Sequence, residues 1–190
     1  MRLFAAIDPP AEAVTDLELA IGDADGRLRW VPSTQWHVTT AFYGEVGEAI
    51  ADALGQRLGR AAQRTPPLSL RFAGAGSFPR RSTAARVLWV GLSGDMEQLT
   101  RLTERCGAAG RHSGLTIEDR RFHAHLTLAR VRRNAVDLSA QVAALSSYVG
   151  PSWPVTSLRL VRSTLGPDVR HETLDEWSLG ANRGNPQVAP

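Results

Sequence analysis

Two short runs, His37-Val38-Thr39-Thr40 and His125-Leu126-Thr127-Leu128, repeat one pattern 88 residues apart: an imidazole, then a hydroxyl two positions later. Side chains alternate along a strand, so His37 and Thr39 share one face, and His125 and Thr127 share another. Val38, Thr40, Leu126 and Leu128 point the opposite way, toward packing. Two such strands facing one cleft supply two imidazoles and two hydroxyls. Histidine titrates ordinarily at about 6.5, so one ring can be neutral while the other is charged. A neutral imidazole activates a hydroxyl or water, and an imidazolium protonates a departing oxygen. That division of labour suits in-line displacement at phosphorus, with nucleophile and leaving group at opposite apices. Threonine hydroxyls can donate to the non-bridging oxygens as charge shifts. A single His-x-Thr on a strand is ordinarily structural. The pairing, in matching strand contexts, favours chemistry.

Neighbouring residues carry smaller weight. His123 shares the His125 face, either lining the cleft or serving structure. Of Phe42 and Tyr43, one belongs in the core and the other is available as a base platform, and alternation does not say which. His112 and His171 read as surface residues. A zinc reading of His123-x-His125 requires a third ligand, with His37 the obvious choice, and carboxylates behind it. It leaves the threonine at both +2 positions unexplained, so no metal and no cofactor are expected.

The elements that must position these residues follow from periodicity and breakers. Leu3–Ile7 is a short buried strand, closed by Asp8-Pro9-Pro10 and followed by a helix through about Ile21. Gly22–Gly26 is a turn. Trp36–Tyr43 reads as a strand and Glu48–Arg64 as a helix with Ile50, Leu54 and Leu58 on one face. Leu68–Phe72 and Arg86–Leu92 read as strands joined by a loop over Gly74–Ala85. Met96 to about His112 is helical, with Leu99, Leu102 and Cys106 on one side. Phe122–Val131 is a strand and Val136–Ser147 a helix. Leu158–Thr164 and Glu172–Leu179 form a hairpin around Gly166-Pro167. Strands mixed with single helices, without a glycine-rich nucleotide fingerprint, indicate an α+β fold with antiparallel or mixed sheets. The repeated motif points to two similar lobes. Residues 1–180 are expected to form one domain, and residues 181–190 a flexible tail.

All 22 basic residues are arginine, against 19 acids. The absence of lysine excludes Schiff-base chemistry, a lysyl-nucleotide intermediate and a P-loop lysine. Cys106 is the sole cysteine, so no intrachain disulfide exists. The apolar start is too short for a signal peptide, and the longest uncharged stretch, Leu138–Leu158, is broken by serines and prolines. A cytoplasmic protein without membrane contact is expected. Residues 53–94 hold seven arginines and no acid. That is the charge of an anion-binding surface, and equally of solvated helix faces.

Together these residues resemble the 2H phosphoesterases, and within them the RNA 2′,3′-cyclic phosphodiesterases, also called 2′-5′ RNA ligases. Arg2-Leu3-Phe4-Ala5-Ala6-Ile7-Asp8 resembles the family's opening strand. The stretch from Trp36 to Val46 resembles its first motif, and Phe78-Pro79-Arg80 with Arg86-Val87-Leu88-Trp89-Val90-Gly91 its middle hairpin. Arg121 to Arg130 resembles the second motif, and Ser163-Thr164-Leu165-Gly166-Pro167 the closing hairpin. Two departures stand out. Ala124 replaces the proline usual before the second histidine, and Thr40 replaces an apolar residue; each lies opposite its histidine.

The resemblance implies two pseudo-symmetric lobes, each a sheet with flanking helices, around a V-shaped cleft. It implies opening of an RNA 2′,3′-cyclic phosphate end to a 2′-phosphate, with His37 protonating the 3′ oxygen and His125 activating water. It also implies that Arg130 touches phosphate. Five residues beyond His125, however, Arg130 falls on the opposite face of a regular strand, and only a bulge or the strand's end turns it inward. The substrate expected is RNA with a cyclic-phosphate end or a small cyclic nucleotide, acted on by a monomer. The alternatives are 2′-5′ ligation or its reversal, hydrolysis of a small cyclic nucleotide, and an RNA-binding module with vestigial histidines.

Overall fold

A computed structural model describes residues 1–22, 26, 28–118, 122–131, 134–164, 166 and 169–180. Most of the turn within Gly22–Gly26, part of the Gly166-Pro167 turn and the 181–190 tail lie outside them. The strands are β1 Arg2–Ile7, β2 Leu28–Trp30, β3 Val38–Glu45, β4 Leu68–Phe78, β5 Val87–Gly94, β6 His125–Val131, β7 Trp153–Val155, β8 Ser157–Thr164 and β9 Arg170–Ser178. The helices are α1 Ala11–Ile21, α2 Glu48–Gln63, α3 Met96–His112 and α4 Ser139–Leu145. A 3₁₀ turn, Ser33–Gln35, leads into β3.

The strands form two antiparallel sheets, ordered β3-β1-β8-β9 and β2-β6-β5-β4-β7. The fold is α+β. The order β1-α1-β3-α2 recurs as β5-α3-β6-α4, with each histidine motif at the start of its third element. Helices do not stay with the sheet that precedes them. α3 leaves β5 of the second sheet and packs against β3 of the first, beside α2. α1 leaves β1 of the first sheet and packs against β4 of the second, beside α4. One connected core runs through both halves, from Leu3 and Leu54 to Leu88 and Leu126.

Local chemistry accounts for the elements. Pro10 sits at the N-cap of α1, where a missing N–H costs nothing, and Gly22 ends the helix at φ +63°. α2 buries Leu54 and Leu58 and leaves Ile50 exposed. Its Gly59 lets the Trp177 indole of β9 approach so closely that a Cβ would stand 3.0 Å from it. α3 buries Leu99, Leu102 and Cys106 as their spacing predicts. No helix among the described residues is long and apolar enough to cross a membrane.

Several boundaries differ from expectation. β4 runs on to Phe78, through most of the first half of the anticipated loop, because Ala75, Gly76 and Ser77 pair with β5 beyond a register shift at Phe72/Ala75. Small residues give little strand signal, and the ladder overrides them. β2 and β7, three residues each, are too short to show a period. β6 begins at His125 rather than Phe122, and α4 is confined to Ser139–Leu145.

Leu126, fully buried between His125 and Thr127 in sequence, anchors the second motif to the core. Leu126→Ala should destabilise the protein by about 2–5 kcal/mol, measured as a shift of the urea midpoint. A shift equivalent to under about 1 kcal/mol would mean that the site strand is not held by this packing.

Candidate active site

His37 stands immediately before β3 and His125 opens β6. Each ring is tied to its own chain two residues back. His37 Nδ1 lies 2.8 Å from the Gln35 carbonyl oxygen, and His125 Nδ1 lies 2.7 Å from that of His123. A carbonyl only accepts, so each Nδ1 carries the proton and donates. Nε2 is the nitrogen left for a ligand in both. The rings also pack against aromatics. Phe4 stacks on His37 with centroids 4.7 Å apart, and Phe78 meets His125 edge-on at 5.0 Å.

Each motif then carries a bulge at the same place. Ala5 pairs with Ala41 and Ala6 with Thr39, which leaves Thr40 extra on β3. Leu88 pairs with Ala129 and Trp89 with Thr127, which leaves Leu128 extra on β6. Thr40-Ala41 and Leu128-Ala129 are consecutive buried residues, so alternation is reset by one. Phe42 and Arg130 therefore emerge on the same face as the histidine and threonine before them. The bulge turns Arg130 inward.

A cleft of about 680 Å³ lies between the sheets, and His37, Thr39, His125, Thr127 and Arg130 all line it. Phe42 joins them, 46% exposed, with the Arg2 guanidinium 4.7 Å over its ring. Arg29 of β2 also lines the cleft and stands directly opposite Arg130 in the ladder.

The structure corrects one placement. His171, read as a surface residue, is half-buried on β9 and lines the cleft. Its ring meets His37 edge-on at 5.1 Å and Phe4 at 5.2 Å. No motif surrounds it; only the β8–β9 hairpin brings it there. His112 is exposed at the end of α3. Tyr43 is the core aromatic, donating its hydroxyl to the Cys106 carbonyl at 3.1 Å. Thr40 is buried and donates to Cys106 Sγ at 3.6 Å, a packing role on the far face. Burial pushes the Cys106 thiol up to about 12, which keeps it unreactive. His123 and Ala124 line a separate cavity.

Electrostatics favour uncharged rings in the free protein. Burial lowers His37 to about 4, against the opposing pull of the Gln35 carbonyl, and His171, Arg130 and His125 lower it further. His125 is lowered first by burial, then by His123 and Arg130, against its own carbonyl bond. Burial and Arg159 lower His171. A neutral Nε2 can accept a proton from water. An anion in the cleft would favour protonation of a partner ring. Among the described residues no cluster of three or more His, Cys, Asp or Glu is placed to hold a metal ion.

A family model described as the 2′-5′ RNA ligase superfamily matches residues 7–167. The chain is 32% identical to the RNA 2′,3′-cyclic phosphodiesterase of Archaeoglobus fulgidus, over 88% of this chain and 93% of that protein. It is 31% identical to the RNA 2′,3′-cyclic phosphodiesterase of Escherichia coli, over 94% and 96%. The fold is similar to the crystal structure of E. coli LigT complexed with 3′-AMP, with a TM-score of 0.76 at 30% identity, covering 94% of this chain and 97% of that one.

The lowered His37 pKa links protonation to folding. Below its ordinary pKa the unfolded ring takes up a proton that the folded ring refuses until about pH 4. Stability from this group is therefore lost as pH falls from about 6.5 toward 4. In an NMR titration without ligand, the His37 ring should remain neutral at pH 5.5. A midpoint near 6.5 would show the ring to be solvated. Inorganic phosphate should raise the midpoint.

Proposed function

The chain belongs to the 2′-5′ RNA ligase superfamily, and on that premise we propose that it hydrolyses RNA 2′,3′-cyclic phosphate ends to 2′-phosphomonoesters, using two histidines and no metal ion. One observation carries the reading. Two imidazoles from different sheets, each with Nδ1 occupied by a carbonyl and Nε2 available, share one cleft with two threonines and Arg130. A binding module has no need of such paired groups.

In this reading His125 Nε2 takes a proton from water, whose oxygen attacks phosphorus. The ring bond to the 3′ oxygen breaks in line, and His37 Nε2–H gives that oxygen its proton. Thr39 and Thr127 donate to the non-bridging oxygens, and the guanidinium of Arg130 holds them with its planar fork. The entering phosphate anion supplies the charge that brings His37 to its protonated form, against its burial. Phe42 offers the terminal base a flat, exposed ring. RNA as substrate is supported by relatives named RNA 2′,3′-cyclic phosphodiesterase. With a ribose 5′-hydroxyl attacking phosphorus in place of water, the same ring opening leaves a 2′-5′ phosphodiester, the ligation in the superfamily's name.

The test is incubation with RNA ending in a cyclic phosphate. The product should resist a phosphatase specific for 3′-phosphates, and turnover should persist in EDTA. His37→Ala and His125→Ala should each lower kcat by roughly 10²- to 10⁴-fold. Wild-type turnover in either folded variant removes that histidine from the mechanism, and release of all product by the phosphatase exchanges the two roles. Metal-dependent rescue after chelation would overturn the metal-free step.

Arg130→Ala should raise KM and lower kcat, and Arg130→Lys should recover only part, because an ammonium is a single point of charge. Unchanged steady-state kinetics in Arg130→Ala would put the side chain outside the phosphate's reach.

A further inference from the structure

Beyond His125, away from the cleft, lies a second cavity of about 510 Å³ lined by Arg80, Leu92, Met96, Phe122, His123 and other residues. We propose that this cavity holds the nucleotide preceding the cyclic-phosphate end, so that the preferred substrate is an oligoribonucleotide and not a free cyclic mononucleotide. The inference rests on the phosphodiesterase reading above.

Continuity with the cleft is the first argument. His123 links the two sites: its carbonyl fixes His125 Nδ1 at 2.7 Å, and the residue lines the second cavity. The two ring centroids stand only 5.9 Å apart. A ligand seated on His125 and continuing along the second sheet would reach His123 next.

The lining chemistry is the second argument. Leu92, Met96 and Phe122 offer apolar and aromatic contact for a base, and exposed Arg80 offers a guanidinium to a phosphate. Arg80 belongs to the acid-free, arginine-rich stretch of residues 53–94, whose charge the catalytic cleft does not use. Ala124, standing where the resembling family has proline, presents only a methyl group here.

His123 itself is the third. Its ring makes no hydrogen bond to the described residues, and its Nδ1 is buried without a partner. Aromatic edges hold it instead: Trp89 at 4.5 Å and Phe78 at 5.5 Å. The Trp89 indole is itself fixed flat over Gly76, where a Cβ would stand 2.3 Å from it. His37 and His125 spend Nδ1 on the backbone. His123 makes no use of Nε2 within the described residues, and that nitrogen, unlike the buried Nδ1, stays open to the edge of a base.

The experiment compares kcat/KM for adenosine 2′,3′-cyclic phosphate with that for a diadenosine dinucleotide ending in the same group. The wild-type protein should prefer the dinucleotide. Arg80→Glu and Met96→Glu should each lower the dinucleotide-to-mononucleotide ratio roughly fivefold or more. Arg80 is exposed, and Met96 opens α3, where a carboxylate suits the helix dipole, so both variants should fold. A wild type with no dinucleotide preference, or a ratio indifferent to both substitutions, would overturn the subsite alone. A wild type inert toward both substrates would overturn the phosphodiesterase reading and the subsite with it.

Discussion

The hydrogen bond from each imidazole Nδ1 to the carbonyl two residues before it fixes what the cleft can do. It selects one tautomer, orients the ring and leaves a single nitrogen, Nε2, for proton transfer. It also shapes the backbone. The Gln35 and His123 carbonyls are turned to the rings, and β3 and β6 begin only at or after the histidines. A triad would use a carboxylate for the same task. With a carbonyl, the imidazolium gains less, and burial favours the uncharged form of both rings.

Beyond these fixed points, the bulges at Thr40 and Leu128 decide where the next side chains of each strand go. Without them Phe42 and Arg130 would enter the core, where an arginine without a partner is costly. With them, one repeated backbone device delivers two different side chains to equivalent places: an aromatic ring on one wall and a guanidinium on the other. Pseudo-symmetry thus positions the two imidazoles, and divergence at the sixth residue of each motif gives the cleft direction. The crossed helices matter for the same reason. Because α3 packs on the first sheet and α1 on the second, the two walls share one core, and their separation is set by packing.

How much of this was legible depends on the range over which each signal acts. His37, Thr39, His125 and Thr127 declare themselves because alternation within one strand is local and strict. Arg130 does not, because a bulge depends on the pairing strand, and β5 contributes nothing to the sequence around Leu128. Only the resemblance pointed inward. His171 had no signal at all: its place beside His37 arises from a hairpin stacked two strands away from the motif. The glycines and alanines of β4 concealed a strand that its neighbours impose. Phe42 and Tyr43 were resolved by the bulge at Thr40 on β3, the counterpart of the one at Leu128 that resolved Arg130.

Burying two imidazoles sets a tension for the proposed reaction. There the imidazole that gives up a proton must carry one, yet burial and the nearby Arg130 disfavour that charge. Arg130, which disfavours both imidazolium forms, lines the cleft where the proposed reaction places a phosphodiester, and a negative charge there favours the protonated ring. In the proposed reaction, protonation of the acid is therefore linked to occupation of the site. In the empty cleft burial favours the uncharged form of both rings, and in the proposed reaction the substrate supplies the charge that favours protonation of one of them.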